Sequence, residues 1–408
     1  MKVNKWTLGL AAVGLVSLPS ISQAEEKAST MMTALSSTTI SGYVNTSAQW
    51  NPGTGNAFVP GFAFNQGKQD GFNLDVVKVS IERPLDEAQW AAGYKVDLIF
   101  GPDANALATA STPLGSPNSD FGVKQAYVTL RAPVGNGLDF KLGVWDTIIG
   151  YETFDAGSNP NYTRSYGYTI EPTTHTGLLS TYQITPNIGL SAGIANTFGP
   201  SINQRANPPK AESYKAYMGA LSITLPDNAG FLKGSTLYAC VINGLNSASP
   251  AAGTNSANRV QTSFYVGGTL STPITALKVG ASYDYAMVRS SGGVGGGHVQ
   301  AADLYTSFQA TEKLSLHARG EYFWQNSEGV VAPVSSSSSQ FLSFPGKVLA
   351  VTGTVQYDLW KNVLSRLEVR WDHAADGADA YGGDLGSPTA APGKRNAVLI
   401  AANVIYKF

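Results

Sequence analysis

Sixteen stretches of this chain have strand character, most of them alternating polar and apolar side chains with a period of two, and the connections between them are sorted by parity. The stretches fall at about 39–50, 72–83, 89–100, 122–131, 138–145, 175–185, 187–196, 213–225, 234–243, 260–271, 276–287, 300–311, 314–324, 347–359, 364–373 and 396–408. Successive side chains on a strand point to opposite faces, so each stretch reads as a strand between two different surroundings. After every even-numbered stretch the chain turns back quickly, through Pro84 to Glu87, Ala132 to Gly137, Pro186, Pro226 to Leu232, Thr272 to Thr275, Glu312-Lys313 and Trp360 to Val363. After the odd-numbered ones it runs through long segments rich in Gly, Pro, Ser and Asn, such as Asn51 to Gly71, Gly101 to Phe121, Asp146 to Thr174, Gln325 to Gly346 and Ala374 to Arg395. A soluble sandwich has no reason to sort its loops in this way. An antiparallel barrel in an outer membrane does, with short turns and both chain ends on the periplasmic side and long loops outside.

The faces separate most clearly in two strands. Leu277, Val279, Ala281, Tyr283, Tyr285 and Met287 oppose Lys278, Gly280, Ser282 and Asp284, while Leu367, Val369 and Trp371 oppose Arg366, Glu368, Arg370 and Asp372. Neither strand suits a dry core on both sides. The stretch 234–243 is the exception, apolar on both faces. The last stretch places Val398, Ile400, Ala402, Val404, Tyr406 and Phe408 on one face and Asn403 and Lys407 on the other, so Val404, Tyr406 and Phe408 read as the lipid face of a barrel-closing strand.

The amino end sets the compartment. Lys2 and Lys5 precede the apolar run Trp6 to Leu18, and Ser22-Gln23-Ala24 supplies the small residues that precede a signal-peptidase cut, so residues 1–24 read as a cleaved export signal. A spanning helix needs about 20 apolar residues, longer than this run. Residues 25–38 read as a short periplasmic lead, leaving 39–408 for the barrel.

Composition agrees. Only 13% of the 408 residues are charged, against roughly 25% in soluble proteins, so something other than charge keeps the surface in its medium. The 44 glycines, 19 tyrosines, 16 phenylalanines and 7 tryptophans suit turns, strands and interfacial aromatics. Trp50, Trp90, Tyr182, Trp324, Tyr357, Trp360, Trp371, Tyr406 and Phe408 lie near strand ends, where headgroup girdles would sit. A formal charge of -1 gives no argument for nucleic acid, which normally demands a basic patch, and no nucleic-acid partner is expected. Cys240 is the single cysteine, a small apolar strand residue with no disulfide or thiolate cluster to join. The glycine run Gly292 to Gly297 and the serine run Ser335 to Ser339 fall in long loops, and no helix or Lys-Ser/Thr pair follows the glycines to make a phosphate cradle.

Sixteen strands enclose an aqueous channel, whereas eight would be filled by side chains. The longest connection, 146–174, has no strand pattern of its own and reads as a functional loop. The chain is laid out like a bacterial general porin. In the segment Gly150-Tyr151-Glu152 through Glu171-Pro172-Thr173-Thr174-His175-Thr176-Gly177 it resembles the OmpL-like β-barrel porin group, putative beta-barrel porin-2. The resemblance covers Thr39 to Phe408. It implies that the third long loop, 146–174, folds into the lumen as the constriction, with Glu152, Asp155, Arg164 and Glu171 as its charged candidates. It also implies a homotrimer. A solvated surface loop is the alternative.

Charges on the water face would set ion preference. The basic candidates are Lys78, Lys95, Lys141, Lys278, Arg319, Arg366 and Arg370, and the acidic ones are Glu82, Asp97, Asp139, Asp284, Glu321, Glu368 and Asp372. Seven against seven gives no sign. Porins typically oppose basic and acidic groups across the narrow point, as Arg319, Arg366 and Arg370 would do against Glu152, Asp155 or Glu171; the plainer reading is wall charges in water, each neutralised by a cross-strand neighbour.

Catalysis has little support. His175, His298, His317 and His373 stand in no triad, zincin or EF-hand context. Only His317, with Ser315 and Glu321 on the same strand face, would be worth testing as a base. The reading is therefore an all-β transmembrane barrel acting as a passive porin for small hydrophilic solutes or ions, in contact with outer-membrane lipid and without a cofactor. The alternatives are an outer-membrane hydrolase and an adhesive surface barrel that binds a partner through its long loops.

Overall fold

The computed structural model describes residues 31–32, 37–65, 67–68, 70–107, 109–110, 119–205, 214–245, 260–289, 296–327 and 345–408. The expected export signal, most of the lead, the serine run and most of the glycine run lie outside them.

Sixteen antiparallel strands form one closed barrel. They are β1 (Thr39–Trp50), β2 (Gly71–Arg83), β3 (Ala91–Phe100), β4 (Phe121–Ala132), β5 (Leu138–Asp146), β6 (Thr174–Thr185), β7 (Ile188–Ala195), β8 (Ala216–Thr224), β9 (Thr236–Leu245), β10 (Val260–Ser271), β11 (Leu277–Val288), β12 (Gly297–Gln309), β13 (Leu314–Ser327), β14 (Lys347–Trp360), β15 (Val363–Ala374) and β16 (Asn396–Lys407). Each pairs with its sequence neighbours, and β16 closes on β1 from Ile400↔Trp50 to Lys407↔Tyr43. Beyond the last strand pair, Phe408 and Gly42 exchange backbone bonds of 2.9 and 3.0 Å. Closure leaves no barrel edge, as hydrocarbon requires of any sheet that crosses it. A two-residue strand, Met31–Met32, lies against the start of β1, so the lead is not wholly without strand.

The alternation read from the sequence decides which way each side chain faces. Val351, Val355, Leu367, Val369, Val404 and Tyr406 are exposed on the outside, and their strand neighbours Thr352, Thr354, Glu368, Arg370 and Asn403 are buried within. Such an apolar exterior is stable only in lipid.

Four register shifts interrupt the pairing, two beside short turns at Gln183/Thr185 and Asp358/Trp360 and two deeper in the wall that re-aim charged residues. Asn45 pairs with Val76 and Thr46 with Leu74, which leaves Asp75 unpaired on β2; likewise Asp97 pairs with Gln125 and Leu98 with Val123, which leaves Lys124 unpaired on β4. A bulge re-aims its extra residue, and both of these side chains end buried inside the barrel.

Among the described residues two short helices lie in the long loops, α1 (Pro102–Leu107) and α2 (Tyr166–Ile170). The second sits in the segment 147–173, which packs inside the barrel against opposite walls of different character.

Candidate functional site

The loop between β5 and β6 first shapes itself. Asn159 braces a 3-10 turn at Ala156–Ser158: its amide donates to the Thr153 carbonyl at 2.7 Å, and its oxygen accepts from the Thr153 N–H at 2.8 Å. Arg164 donates to the carbonyls of Thr153, Tyr162 and Phe154 at 2.9, 2.8 and 2.7 Å. Ser165 caps α2, its hydroxyl accepting from the Tyr168 N–H at 3.0 Å. Asn159 through Pro172 are all buried.

On one side the loop meets an apolar wall. Ile148, Ile149 and Tyr151 pack with Leu179, Met218, Tyr238, Cys240, Ile242 and Tyr265, which face inward from β6 to β10. The Tyr151 ring stacks on Tyr305 of β12 with centroids 4.0 Å apart. A Cβ at Gly280 of β11 would overlap the Tyr151 hydroxyl, so a glycine is needed where the loop enters. This contact also explains the ambiguous stretch at 234–243: its inner face is apolar because it touches loop rather than water.

On the other side the loop is held by charge. The Arg319 guanidinium of β13 donates to Glu152 at 2.7 Å, Glu321 at 2.7 Å, the Thr163 carbonyl at 2.7 Å and hydroxyl at 3.0 Å, the Arg164 carbonyl at 3.3 Å and Thr352 at 3.3 Å. Arg370 of β15 pairs with Asp372 at 2.9 Å, donates to the Arg164 carbonyl at 2.8 Å and lies 4.3 Å from the centre of the Phe62 ring. Arg366 donates to the carbonyls of Ala156 and Asn159 at 2.9 and 2.6 Å.

Carboxylates complete the web. Glu368 accepts from the Tyr162 and Thr163 N–H groups at 2.6 and 2.9 Å, Glu321 from the Tyr166 N–H at 2.7 Å, and Glu152 from the Ser165 N–H at 2.7 Å. Arg319 and its two carboxylate partners have side chains 0% exposed. With so many fixed bonds the web is strong when complete and costly when any member is lost.

Of the thirteen pore-lining candidates, all face inward, and they divide by exposure. Glu82, Lys95, Lys141 and Lys278 are partly open. Lys78, Asp97, Asp284, Arg319, Glu321, Arg366, Glu368, Arg370 and Asp372 are buried, and so is Asp139. The expectation of wall charges bathed in water is corrected for these ten, because the loop or an ion-pair partner covers them. The opposed pairing drawn from porins holds for Arg319 with Glu152 alone. Arg366 and Arg370 reach loop carbonyls instead, Asp155 pairs with Lys78 at 2.8 Å, and Glu171 hydrogen-bonds Asp284.

Asp155 and Glu171 differ sharply. Burial alone would raise the Asp155 carboxyl, but Lys78 and Lys124 hold it well below the usual carboxylate range. Burial, reinforced by Asp284, pushes the Glu171 carboxyl well above its usual range. A Cβ at Gly167 would press on the Asp284 and Asp303 carboxylates at 2.8 and 2.5 Å, so α2 lies directly on this acidic group.

Among the inward residues missed in the sequence are Asp303, which follows the plain alternation, and two at the bulges. Asp75 accepts from Ser47 at 2.9 Å and pairs with Lys68 at 2.8 Å, and Lys124 pairs with Asp146. Strict alternation puts both on the lipid face, where an isolated charge is too costly to stand; that conflict is the only local signal. The Ser315, His317 and Glu321 grouping does not assemble. His317 Nδ1 is 2.7 Å from the Ser307 hydroxyl, Ser315 donates to Gln309, and Glu321 is committed to Arg319 and the loop. Among the described residues no cluster of His, Cys, Asp or Glu is arranged to hold a metal. Val404 and Tyr406 are exposed on β16, and Phe408 is half-buried beside Gly42.

Comparison with known proteins places this geometry. No curated protein matches the sequence. Among solved structures, the anion-selective porin of Comamonas acidovorans aligns at 11% identity over 91% of this chain and 99% of that one, with a TM-score of 0.57. The outer membrane channel DcaP of Acinetobacter baumannii aligns at 13% identity over 91% and 97%, with a TM-score of 0.55. OmpT of Vibrio cholerae, in its trimer form, aligns at 12% identity over 91% and 99%, with a TM-score of 0.55. These likenesses establish the fold. The family model described as putative beta-barrel porin-2, OmpL-like, matches residues 37–408. The chain therefore belongs to this porin family, and its barrel resides in the outer membrane of a Gram-negative bacterium.

Proposed function

We propose that the barrel is a passive diffusion channel for small hydrophilic solutes or ions, with residues 146–174 as its constriction. The observation that carries this reading is the seat of that loop inside a closed sixteen-stranded barrel, where Arg319, Glu321, Glu368 and Arg370 bind its backbone. A barrel of this strand number is wide enough for a water channel. An inserted loop restricts passage to small solutes. Below the loop, the partly open Glu82, Lys95, Lys141 and Lys278 supply a polar wall, and no cofactor is required.

The dispersal of Ser315, His317 and Glu321 weighs against a hydrolase, as does membership of a porin family. A homotrimer in outer-membrane lipid is part of the proposal, supported by the trimer form of the Vibrio cholerae barrel.

The test is single-channel recording from the refolded barrel in a planar bilayer, beside a variant shortened over 152–168. Stable steps that grow when the loop is shortened are expected. A folded, heat-modifiable barrel that passes no current in either form overturns the channel and favours an adhesive role for the long loops.

A further inference from the structure

We infer that the periplasmic half of the lumen selects for anions, with Lys141, Lys278 and Lys407 as the determinants, and that the permeant solutes are small anions. The inference deepens the channel reading and rests on it.

Equal numbers of acids and bases in the sequence conceal how the structure divides them. Two ion pairs near the short turns cancel themselves: Lys95 with Glu82 at 3.1 Å and Arg131 with Asp139 at 2.6 Å. Three inward cations that are at least partly open remain without a carboxylate ion-pair partner among the described residues. Lys141, three residues into β5, has its ammonium 5.0 Å from the centre of the Tyr127 ring. Lys278 sits at the start of β11, half-buried. Lys407, exposed at the end of β16, reaches the Gly157 carbonyl at 3.4 Å; the neighbouring Arg366 is buried, its guanidinium bonded to Gln356 and two loop carbonyls.

The carboxylates near Arg366 and Lys407 are Glu368, Asp358 and Asp155. Glu368 is enclosed by loop N–H groups, and Asp155 pairs with Lys78. Asp358 lies near Arg366 and Lys407, and the three open lysines keep the accessible charge positive. The opposing surplus of acid, Glu171 with Asp284 and Asp303, is buried beneath α2 and does not meet solution. Acid is thus sealed at the level of the loop while base stays open below it. β5 and β11 also stand well apart around the barrel, so Lys141 and Lys278 set the potential from different sides. A low-dielectric cleft lined by one sign of charge focuses its field and concentrates counter-ions. Rings of Lys and Arg select anions in pores by this means.

Reversal potentials of the reconstituted full barrel across a potassium chloride gradient provide the test. The expected result is chloride over potassium by roughly an order of magnitude at low salt, from the focusing that such clefts achieve. The preference should fade toward 1 M salt, where the screening length falls to about 3 Å. Lys141→Glu with Lys278→Glu should reverse it, and Lys141→Gln with Lys278→Gln should only weaken it; all four substitutions are at partly open positions that the barrel can accommodate. Current with no anion preference, or a preference indifferent to both double variants, overturns this inference and leaves the channel standing. Absence of current from the wild-type and loop-shortened barrels overturns both.

Discussion

The two walls that grip the loop differ in kind. From β6 to β10 the barrel offers Leu179, Met218, Tyr238, Cys240, Ile242 and Tyr265, and the loop answers with Ile148, Ile149 and Tyr151. Around β13 to β15 it offers Arg319, Glu321, Glu368 and Arg370, and the loop answers mainly with backbone N–H and carbonyl groups. Apolar contact is non-directional and scales with area, so the first wall tolerates sliding and loses stability in proportion to what is removed. Buried ionic contact is directional, and each missing partner exposes another to the full cost of desolvation. The apolar wall anchors the loop; the charged wall fixes its position.

The largest effect should come from breaking the charged wall. Arg319→Ala leaves Glu152 and Glu321 buried beside an empty site, at about 3–5 kcal/mol for an uncompensated buried charge. The measurable result is a lower midpoint for heat modifiability, together with larger and noisier conductance steps as the loop comes free. On the apolar wall, Ile242→Ala should cost about 2–5 kcal/mol by loss of contact and cavity formation. Urea unfolding should register that loss, while step size stays close to wild type because the ionic bonds remain. Equal changes in conductance from the two variants would erase the distinction between the walls.

A smaller effect concerns pH. The Glu171 pKa is raised on folding, so its contribution is complete below the unfolded carboxyl range and is lost as pH rises through the folded value. The loop should therefore loosen on the alkaline side, seen as conductance climbing with pH. Glu171→Gln should flatten that slope. Asp155 works in the opposite sense, its pKa being lowered, and its contact with Lys78 should hold until pH falls well below the usual carboxylate range. The smallest effect is expected from Asp155→Asn measured near neutrality, since the Asp155 side chain is 28% exposed and the buried Lys78 keeps Asp97 as a partner at 3.2 Å; the unfolding midpoint should move only slightly.

The same contrast explains what the sequence could reveal. Lipid imposes one rule on every outward residue, so Val369, Val404 and Tyr406 announce their face and the strand count follows. The interior obeys several rules at once. Residues against water are polar, but Tyr238, Cys240 and Ile242 are apolar because a loop distant in sequence covers them. The bulges at Asp75 and Lys124 invert the local parity without a glycine or proline to mark them. The length of 146–174 declared a functional loop. Its attachments stayed hidden because Glu321, Glu368 and Arg370 bind backbone groups, which every residue carries alike.

The central claim is that this loop rests inside the barrel against the β14 wall, where Asn161 donates to Thr354 at 2.7 Å. With Cys240 changed to Ser, the pair Asn161→Cys and Thr354→Cys should form a disulfide on mild oxidation in intact outer membranes, and single-channel steps should change little between oxidised and reduced protein. Two thiols that stay unlinked in the folded barrel, and that maleimide labels freely from the outside, would mean that the loop lies elsewhere and that the lumen is not restricted as described.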